Sequence, residues 1–196
     1  LLLKSKMKKM TIIIVSIIVF TAIAIYAFLG GFRKVKFQIE MSGGETIVYK
    51  DVSGDYRQTP SVTNEVYNYL LNELKIETNK GIGIFYDNPK KVKEKVKTNE
   101  SVIGYIMRSE SGCVIEPKDT IRLSSMQCKY KIKTLPAQKT LITEFPYKGS
   151  SSLLMAMFKI YPALEKYTKV HNLKDSPIIE IYDVPNKKII YRKLIE

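Results

Sequence analysis

The chain opens with one long apolar run, after which short apolar segments recur at spacings typical of strands and helices. Thr11 to Gly30 is 20 residues long and carries no charge. A helix rises 1.5 Å per residue, so this run spans about 30 Å, the thickness of the hydrocarbon core of a bilayer. The pattern predicts a basic tail over residues 1–10, a transmembrane helix over residues 11–31 and a folded domain over residues 32–196.

A cleaved signal peptide is the competing interpretation of this run. Signal peptides usually have apolar cores of about 7–15 residues and end in a small-x-small site. This run is longer, and residues 26–30 form a poor cleavage site. We therefore expect an uncleaved single-pass anchor that contacts the lipid bilayer of a plasma or inner membrane rather than that of the endoplasmic reticulum. Four lysines precede the run and three basic residues follow it closely. The slight excess on the N-terminal side predicts that the domain lies on the non-cytoplasmic side.

After the apolar run, the pattern predicts two similar halves. In the first half, alternating apolar positions predict strands at 36–41, 46–50, 82–86 and 102–107, with a helix that begins at Thr59-Pro60. In the second half, strands are expected at 131–135, 140–145, 178–182 and 188–194. The helix between them begins after Gly149, and Pro162 should kink it or split it. The predicted fold class is α+β, with two fused strand–helix–strand–strand halves in pseudo-twofold symmetry.

A short repeated motif supports an internal duplication. Tyr86-Asp87-x-Pro89 recurs as Tyr182-Asp183-x-Pro185, at an offset of 96 residues. The aspartates and prolines are typical of turns at strand ends. Because the motif and the order of elements repeat together, we interpret the domain as a duplicated unit.

Glu180 is the one carboxylate in the middle of an otherwise apolar strand. Alternate residues of a strand share a face, so Glu180 and Tyr182 point the same way. If helices cover the face that carries Ile179, Glu180 and Tyr182 line the space on the opposite side of the sheet. A buried carboxylate is costly unless it is paired, protonated or kept for a ligand. A basic partner on a neighbouring strand, or exposure to solvent, is the alternative.

Aromatic faces and thioethers suit flat cationic ligands. The predicted ligand-binding residues are therefore Glu180, Tyr182, Tyr49, Tyr105 and Met107. Ordinary core and sheet packing is the alternative for the aromatic residues and the methionine.

Composition narrows the classes of partner. The chain has 32 basic and 19 acidic residues, a formal net charge of +13, which favours acidic surfaces and anionic lipid headgroups. No zinc-finger spacing, helix-turn-helix or aromatic-basic RNA motif is present, so we expect no nucleic-acid partner. With a single histidine, and with Cys113 and Cys128 lacking nearby ligands, we expect no metal site and no cofactor. Whether the two cysteines form a disulfide depends on the compartment.

The Tyr86-Asp87-Asn88-Pro89 motif, Glu180 and Tyr182 after Pro177, and the repeated order of elements resemble the GyrI-like effector-binding superfamily. The resemblance covers roughly residues 37–194. It implies two fused α+β halves with a ligand cleft at their interface, in which Glu180 would meet cationic, often aromatic ligands. A similar branch with an N-terminal membrane helix is the eukaryotic reticulophagy receptor, a protein-interaction platform. No DNA-binding module is recognisable here, so we do not expect transcriptional control.

The preferred hypothesis is a membrane-anchored domain that binds an apolar or cationic small molecule between its two halves. The first alternative is a membrane-tethered platform for a protein partner, with a vestigial cleft. The second is a hydrolase in which Glu180 acts as base and Tyr182 as proton relay. Two residues on one strand face are weak support for catalysis, so we expect a protein that is not an enzyme.

Overall fold

The computed structural model describes residues 2–88, 92, 107–125 and 127–195. Within these residues there are four α-helices and eight strands. The helices are α1 (Leu2–Phe28), α2 (Thr59–Asn72), α3 (Pro117–Ser124) and α4 (Ser150–Val170). The strands are β1 (Gln38–Ser42), β2 (Thr46–Ser53), β3 (Lys80–Phe85), β4 (Arg108–Ile115), β5 (Lys131–Thr134), β6 (Gln138–Pro146), β7 (Ile178–Asp183) and β8 (Lys188–Leu194). The predicted α+β class is confirmed.

The eight strands form one antiparallel sheet in the order β1-β6-β8-β7-β3-β4-β2-β5. The first half supplies β2, β3 and β4, and the second half supplies β6, β7 and β8. The halves meet where β3 pairs with β7, from Lys80 opposite Asp183 to Phe85 opposite Ile178. Strands β1 and β5 are exchanged between the halves, because β1 pairs with β6 and β5 pairs with β2. Two strand–helix–strand–strand units are therefore related by a pseudo-twofold axis at the β3–β7 pair.

Two short connections force this sheet to curve. Strands β1 and β2 are six positions apart in the sheet, about 29 Å if it were flat. Only residues 43–45 join them, and such a connection reaches about 14 Å at most. The same restriction applies to β5 and β6, which are joined by residues 135–137. The two edges of the sheet must therefore curl towards each other on the side that these connections cross.

The two connections contact each other directly. The Gly44 amide donates to the Leu135 carbonyl at 2.7 Å, and the Leu135 amide donates to the Glu45 carbonyl at 2.9 Å. The Arg192 guanidinium on β8 forms an ion pair with Glu45, with Nη2 2.8 Å from Oε1. These contacts hold the concave side of the sheet together at one end.

Helices α2 and α4 pack on the convex side. Helix α2 contributes Val66, Tyr69 and Leu70 to a core formed with β2 and β4. Helix α4 contributes Ala156, Ile160 and Leu164 to a core formed with β6 and β8. The concave side has a third core without a helix, composed of sheet residues and one residue of a connection: Ile47, Ile82, Ile84, Val114, Ile181 and Leu135.

Some details differ from the pattern-based prediction. The fourth strand of the first half begins at Arg108, whereas residues 102–106 of the predicted strand lie outside the described residues. Helix α3 was not predicted. Helix α4 continues through Pro162, so a split there is wrong. Ile160 and Leu164, on either side of the proline, are both buried, and this packing holds the helix together across the missing amide.

Substitution of the two glycines in the β1–β2 connection tests whether the two connections cross in close contact. Gly43 has φ +121°, and a Cβ there would lie 2.1 Å from the Pro136 carbonyl oxygen. Gly44 has φ +86°, but a Cβ there would meet nothing within 4 Å. We expect Gly43→Ala to lower the free energy of unfolding by about 3 kcal/mol or more, since strain and a backbone clash add. Gly44→Ala should cost about 1 kcal/mol from strain alone. Urea denaturation of both variants measures this, and equal losses would contradict the crossing.

The two cysteines should differ in reactivity. Both are free thiols, and Cys113 is buried in β4 whereas Cys128 is partly exposed. Burial raises the pKa of Cys113 from 9.0 to about 12, which lowers its thiolate fraction roughly 1,000-fold. We expect iodoacetamide at pH 8 to modify Cys128 in the folded protein and Cys113 only after denaturation, as followed by mass spectrometry. Modification of Cys113 at the rate of Cys128 would contradict its burial. Resistance of Cys113 therefore does not by itself indicate a disulfide.

Candidate functional site

Glu180 lies under helix α4, in the centre of the sheet. Its strand, β7, is flanked by β3 and β8, and only 5% of the residue is exposed. Ile178 and Tyr182, on the same face of β7, pack against the core that α4 covers. Ile181 faces the helix-free concave core. The helices thus cover the face of Glu180 and not that of Ile179, which is the reverse of the arrangement that would leave Glu180 lining an open cleft.

Both oxygens of Glu180 accept hydrogen bonds from tyrosines. The Tyr161 hydroxyl, on α4, donates to Oε1 at 2.5 Å, and the Tyr182 hydroxyl donates to Oε2. Tyr191 lies opposite Glu180 on β8, and its ring centroid is 6.3 Å from that of Tyr161. Tyr147 adds a fourth ring, 6.3 Å from that of Tyr182. We call Tyr147, Tyr161, Tyr182 and Tyr191 the tyrosine cluster.

The environment of Glu180 opposes its ionisation. Burial raises its pKa above the ordinary value of 4.5, and the hydrogen bonds from Tyr161 and Tyr182 offset part of that rise. Burial, together with the proximity of Glu180, also raises the pKa of both tyrosines well above 10, so their hydroxyls stay protonated and act as donors. Within the described residues, no lysine, arginine or histidine forms an ion pair with Glu180. The basic cross-strand partner considered from the sequence is not found in that part of the chain.

Glycines on the neighbouring strand allow other groups to pack closely beside the carboxylate. Gly83 lies directly opposite Glu180, and Gly81 lies opposite Tyr182. A Cβ at Gly83 would lie 2.8 Å from the Phe85 ring, which covers that position. A Cβ at Gly81 would lie 3.1 Å from Thr63 of α2. The absence of side chains here allows α2 and the Phe85 ring to approach the sheet closely next to the tyrosine cluster.

The other predicted site residues do not all join this group. Tyr49 packs with the concave core, and the Lys133 Nζ lies 4.6 Å from the centroid of its ring. Met107 precedes β4, and its carbonyl accepts from the Gly54 amide at 2.8 Å. Tyr105 lies outside the described residues. The structure therefore brings Glu180 and Tyr182 together and places Tyr49 on the opposite side of the sheet.

Sequence reasoning missed Tyr161, Tyr191 and Tyr147. The large apolar residues Leu154, Met157 and Phe158 of α4 would be expected on its buried face, yet these three are exposed. The buried positions are Ser152, Ala156, Ile160 and Leu164, which follow the i, i+4, i+8 spacing. That spacing was a usable signal, since it places Tyr161 beside Ile160 at the edge of the sheet-facing stripe. Hydrophobicity alone does not identify the buried face of α4, because its largest apolar residues lie on the outer face.

A pocket of about 210 Å³ lies on the concave side. Residues of both halves line it, among them Ile84, Ile179 and Leu194, together with the connections at Gly43 and Pro136. Its charged lining residues are Lys133 and Arg192. These cations are ion-paired with Glu110 and Glu45 respectively.

Comparisons with solved structures identify the same fold. SAV2435 bound to tetraphenylphosphonium aligns with a TM-score of 0.52 at 10% identity, over 82% of this chain and 94% of that one. The EcmrR C-terminal domain aligns at 0.51 with 8% identity, over 83% and 98%. EcmrR in its DNA complex aligns at 0.53 with 9% identity, over 91% of this chain and 65% of that one.

These are GyrI-like effector-binding folds. At identities this low the likeness shows the fold alone. No family model and no curated protein matches the chain, so membership in the superfamily stays a prediction.

The pH dependence of stability should report the raised pKa of Glu180. Because the folded pKa exceeds that of the unfolded chain, the native state loses stability as pH rises from about 4.5 through the folded pKa. Each unit of difference corresponds to about 1.4 kcal/mol. Glu180→Gln is neutral at every pH, so its stability relative to the wild type should increase over that window and then level off. Denaturant titrations between about pH 4 and 8 measure this.

Glu40→Gln is the matched control, because Glu40 lies exposed on the edge strand β1. It should show no such trend. A constant difference between Glu180→Gln and wild type at all pH values would contradict the raised pKa.

Proposed function

We propose that this chain is a membrane-anchored binding protein whose domain takes up an apolar cation, with Glu180 as the counter-charge. The observation that carries the proposal is a carboxylate that is 5% exposed and has only tyrosine hydroxyls as described partners. Such a group costs stability unless something offsets its charge. A cationic ligand supplies that charge, which explains why the site is kept polar in an otherwise apolar core.

The tyrosine cluster supports an aromatic or lipophilic cation. Aromatic faces attract cations within about 6 Å, most strongly where water is excluded. In the structure the Tyr161 hydroxyl is hydrogen-bonded to Oε1 of Glu180, so a ligand has to displace it to reach that oxygen. Pro162, the next residue of α4, lacks a backbone amide and leaves one helix hydrogen bond unmade there. The displaced tyrosine therefore lies at the weakest backbone position within the helix.

The concave pocket is a poorer site for a cation. Its charged lining residues, Lys133 and Arg192, are both basic. Because Lys133 and Arg192 are already paired with Glu110 and Glu45, a cation placed there finds no carboxylate without a basic partner among the described residues. Beside Glu180 the same cation meets a carboxylate whose described partners are tyrosine hydroxyls alone. We therefore assign the cation to the convex side, with Glu180, Tyr182 and Tyr161 as its contacts.

Helix α1 supports the membrane anchor. Met7–Phe28 is long and apolar enough to cross a bilayer, with a mean hydropathy of 2.6, and none of it is buried in the domain. Its large apolar side chains point outward all round the helix, among them Ile12, Ile18, Phe20 and Ile25. A helix that is apolar on every side is stable in lipid or inside protein, not in water. Length and composition alone also fit a signal sequence, so retention of the helix in the mature protein belongs to the proposal.

Tetraphenylphosphonium is the probe for this proposal, since SAV2435 has been solved with it bound. We expect it to raise the melting temperature of the full chain in detergent, and ligand at about 100 Kd should stabilise the native state by about 2.7 kcal/mol. Glu180→Gln should weaken binding at least ~10-fold, because the ligand charge then lacks its partner. Tetraphenylborate has the same shape and the opposite charge and should cause no shift.

Glu40→Gln serves as the control variant, since it removes an equal but exposed charge. It should bind tetraphenylphosphonium like the wild type. Equal shifts with the phosphonium and the borate, or a full shift in Glu180→Gln, would overturn the role of Glu180.

A protein-interaction platform is the second candidate, and one observation favours it. The carboxylate site is closed, as a vestigial cleft would be. On that hypothesis no lipophilic cation stabilises the chain, and Glu180→Gln is at least as stable as the wild type without any loss of partner binding. The absence of a shift with tetraphenylphosphonium would therefore favour the platform.

A further inference from the structure

The outer face of the first half of α4 carries large apolar side chains where a surface helix normally carries polar ones. Leu154, Met157 and Phe158 are 56%, 57% and 71% exposed. Their i, i+3, i+4 spacing makes them neighbours on one helix face. Exposed Pro162 continues this face by one turn, and exposed Lys166 and Lys169 follow in the second half. We call Leu154, Met157 and Phe158 the apolar stripe.

The end of α1 is held against this same half of α4. The Lys148 Nζ donates to the Phe28 carbonyl at 2.9 Å and lies 3.8 Å from the centroid of the Phe28 ring. The Lys159 Nζ donates to the Gly31 carbonyl. These two lysines bracket the apolar stripe in sequence. The stripe therefore lies within a few turns of the point where the apolar helix ends.

Residues beside this junction have the composition of a membrane interface. Tyr26 and Phe32 pack edge to face, with centroids 5.0 Å apart, and both are exposed. Aromatic residues are enriched at the level of the lipid headgroups. Arg33, Lys34 and Lys36 follow directly and are charged for contact with anionic lipids.

We propose that the apolar stripe of α4 docks on the bilayer surface beside the end of α1. This inference rests on α1 being the membrane span proposed above. The bilayer alone would then cover the exposed apolar faces of both helices, because the stripe of α4 lies beside the end of α1. Amphipathic helices that lie in the interface bury their apolar faces about 5–10 Å into the boundary between headgroups and acyl chains.

Docking would also place the carboxylate site at the lipid surface. Tyr161, whose hydroxyl donates to Glu180, lies three residues after Phe158 on the same helix. Lipophilic cations concentrate at an anionic bilayer surface. Helix α4, which has to move when a ligand displaces Tyr161, would thus also contact the bilayer surface at which such ligands accumulate.

Tryptophan fluorescence tests this directly, because the chain contains no tryptophan. Phe158→Trp, Ile18→Trp and Ile121→Trp are introduced singly into the full chain, which is reconstituted into phosphatidylcholine–phosphatidylglycerol vesicles with and without brominated acyl chains. Ile18 lies in the apolar helix, and Ile121 is 81% exposed on α3, which packs on the other half of the domain. We expect roughly twofold quenching at position 158, comparable to that at position 18, and almost none at position 121.

The outcomes separate the two proposals. If the tryptophan at position 18 is quenched and the one at position 158 is quenched no more than the one at position 121, the docking is overturned and the membrane anchor still stands. No quenching at 18 overturns the anchor and the docking with it. A shielded tryptophan at 158 that becomes exposed when the protein is diluted tenfold in lipid identifies a second copy as the occupant and overturns the docking. Leu154→Trp repeats the measurement at a neighbouring stripe position, in case the first variant folds poorly.

Discussion

The domain depends on two three-residue connections that join opposite edges of one sheet. Residues 43–45 and 135–137 are too short to span a flat sheet of eight strands, so the sheet has to curve until they reach. They cross on the concave side, where the Gly44 amide donates to the Leu135 carbonyl and the Leu135 amide donates to the Glu45 carbonyl. Because β1 and β5 each pair with the other half, this crossing also ties the two halves together. The two halves are thereby interlocked, beyond their contact at the β3–β7 pair.

Curvature gives the two sides of the sheet different roles. The concave side is filled by isoleucines, Val114 and Leu135, and it leaves a small pocket with basic lining. Helices α2 and α4 pack on the convex side, which also carries Glu180, the carboxylate at the centre of β7. One residue earlier or later in β7, the carboxylate would face the concave pocket and its cations. The register of a single strand thus decides whether this domain can offer a buried negative charge to a cation.

Glu180 is tolerated in the folded protein without a basic partner among the described residues, but its lost hydration is only partly compensated. Two protonated tyrosines satisfy its oxygens, so it does not need a basic partner to be tolerated. Its raised pKa shows that these hydrogen bonds do not fully replace the lost hydration. A cation that took the place of Tyr161 would restore the missing compensation. The same helix has its apolar outer face next to the end of α1, so under the two proposals above α4 would take part both in access to the site and in attachment to a membrane.

Much of the fold follows from the sequence alone. Alternating apolar residues located β1, β2, β3, β5, β6, β7 and β8, and the Thr59-Pro60 and Gly149 signals located α2 and α4, because these patterns depend on local geometry. The sequence also marked Glu180 and Tyr182 as neighbours on one face. It could not show which face the helices cover, because each face of β7 carries apolar residues together with one carboxylate, Glu180 or Asp183. That choice, the pairing of β1 and β5 with the opposite halves, and the arrival of Tyr161 and Tyr191 at Glu180 were decided by tertiary structure. They depend on contacts between residues far apart in the chain, or on different elements, and no local pattern encodes them.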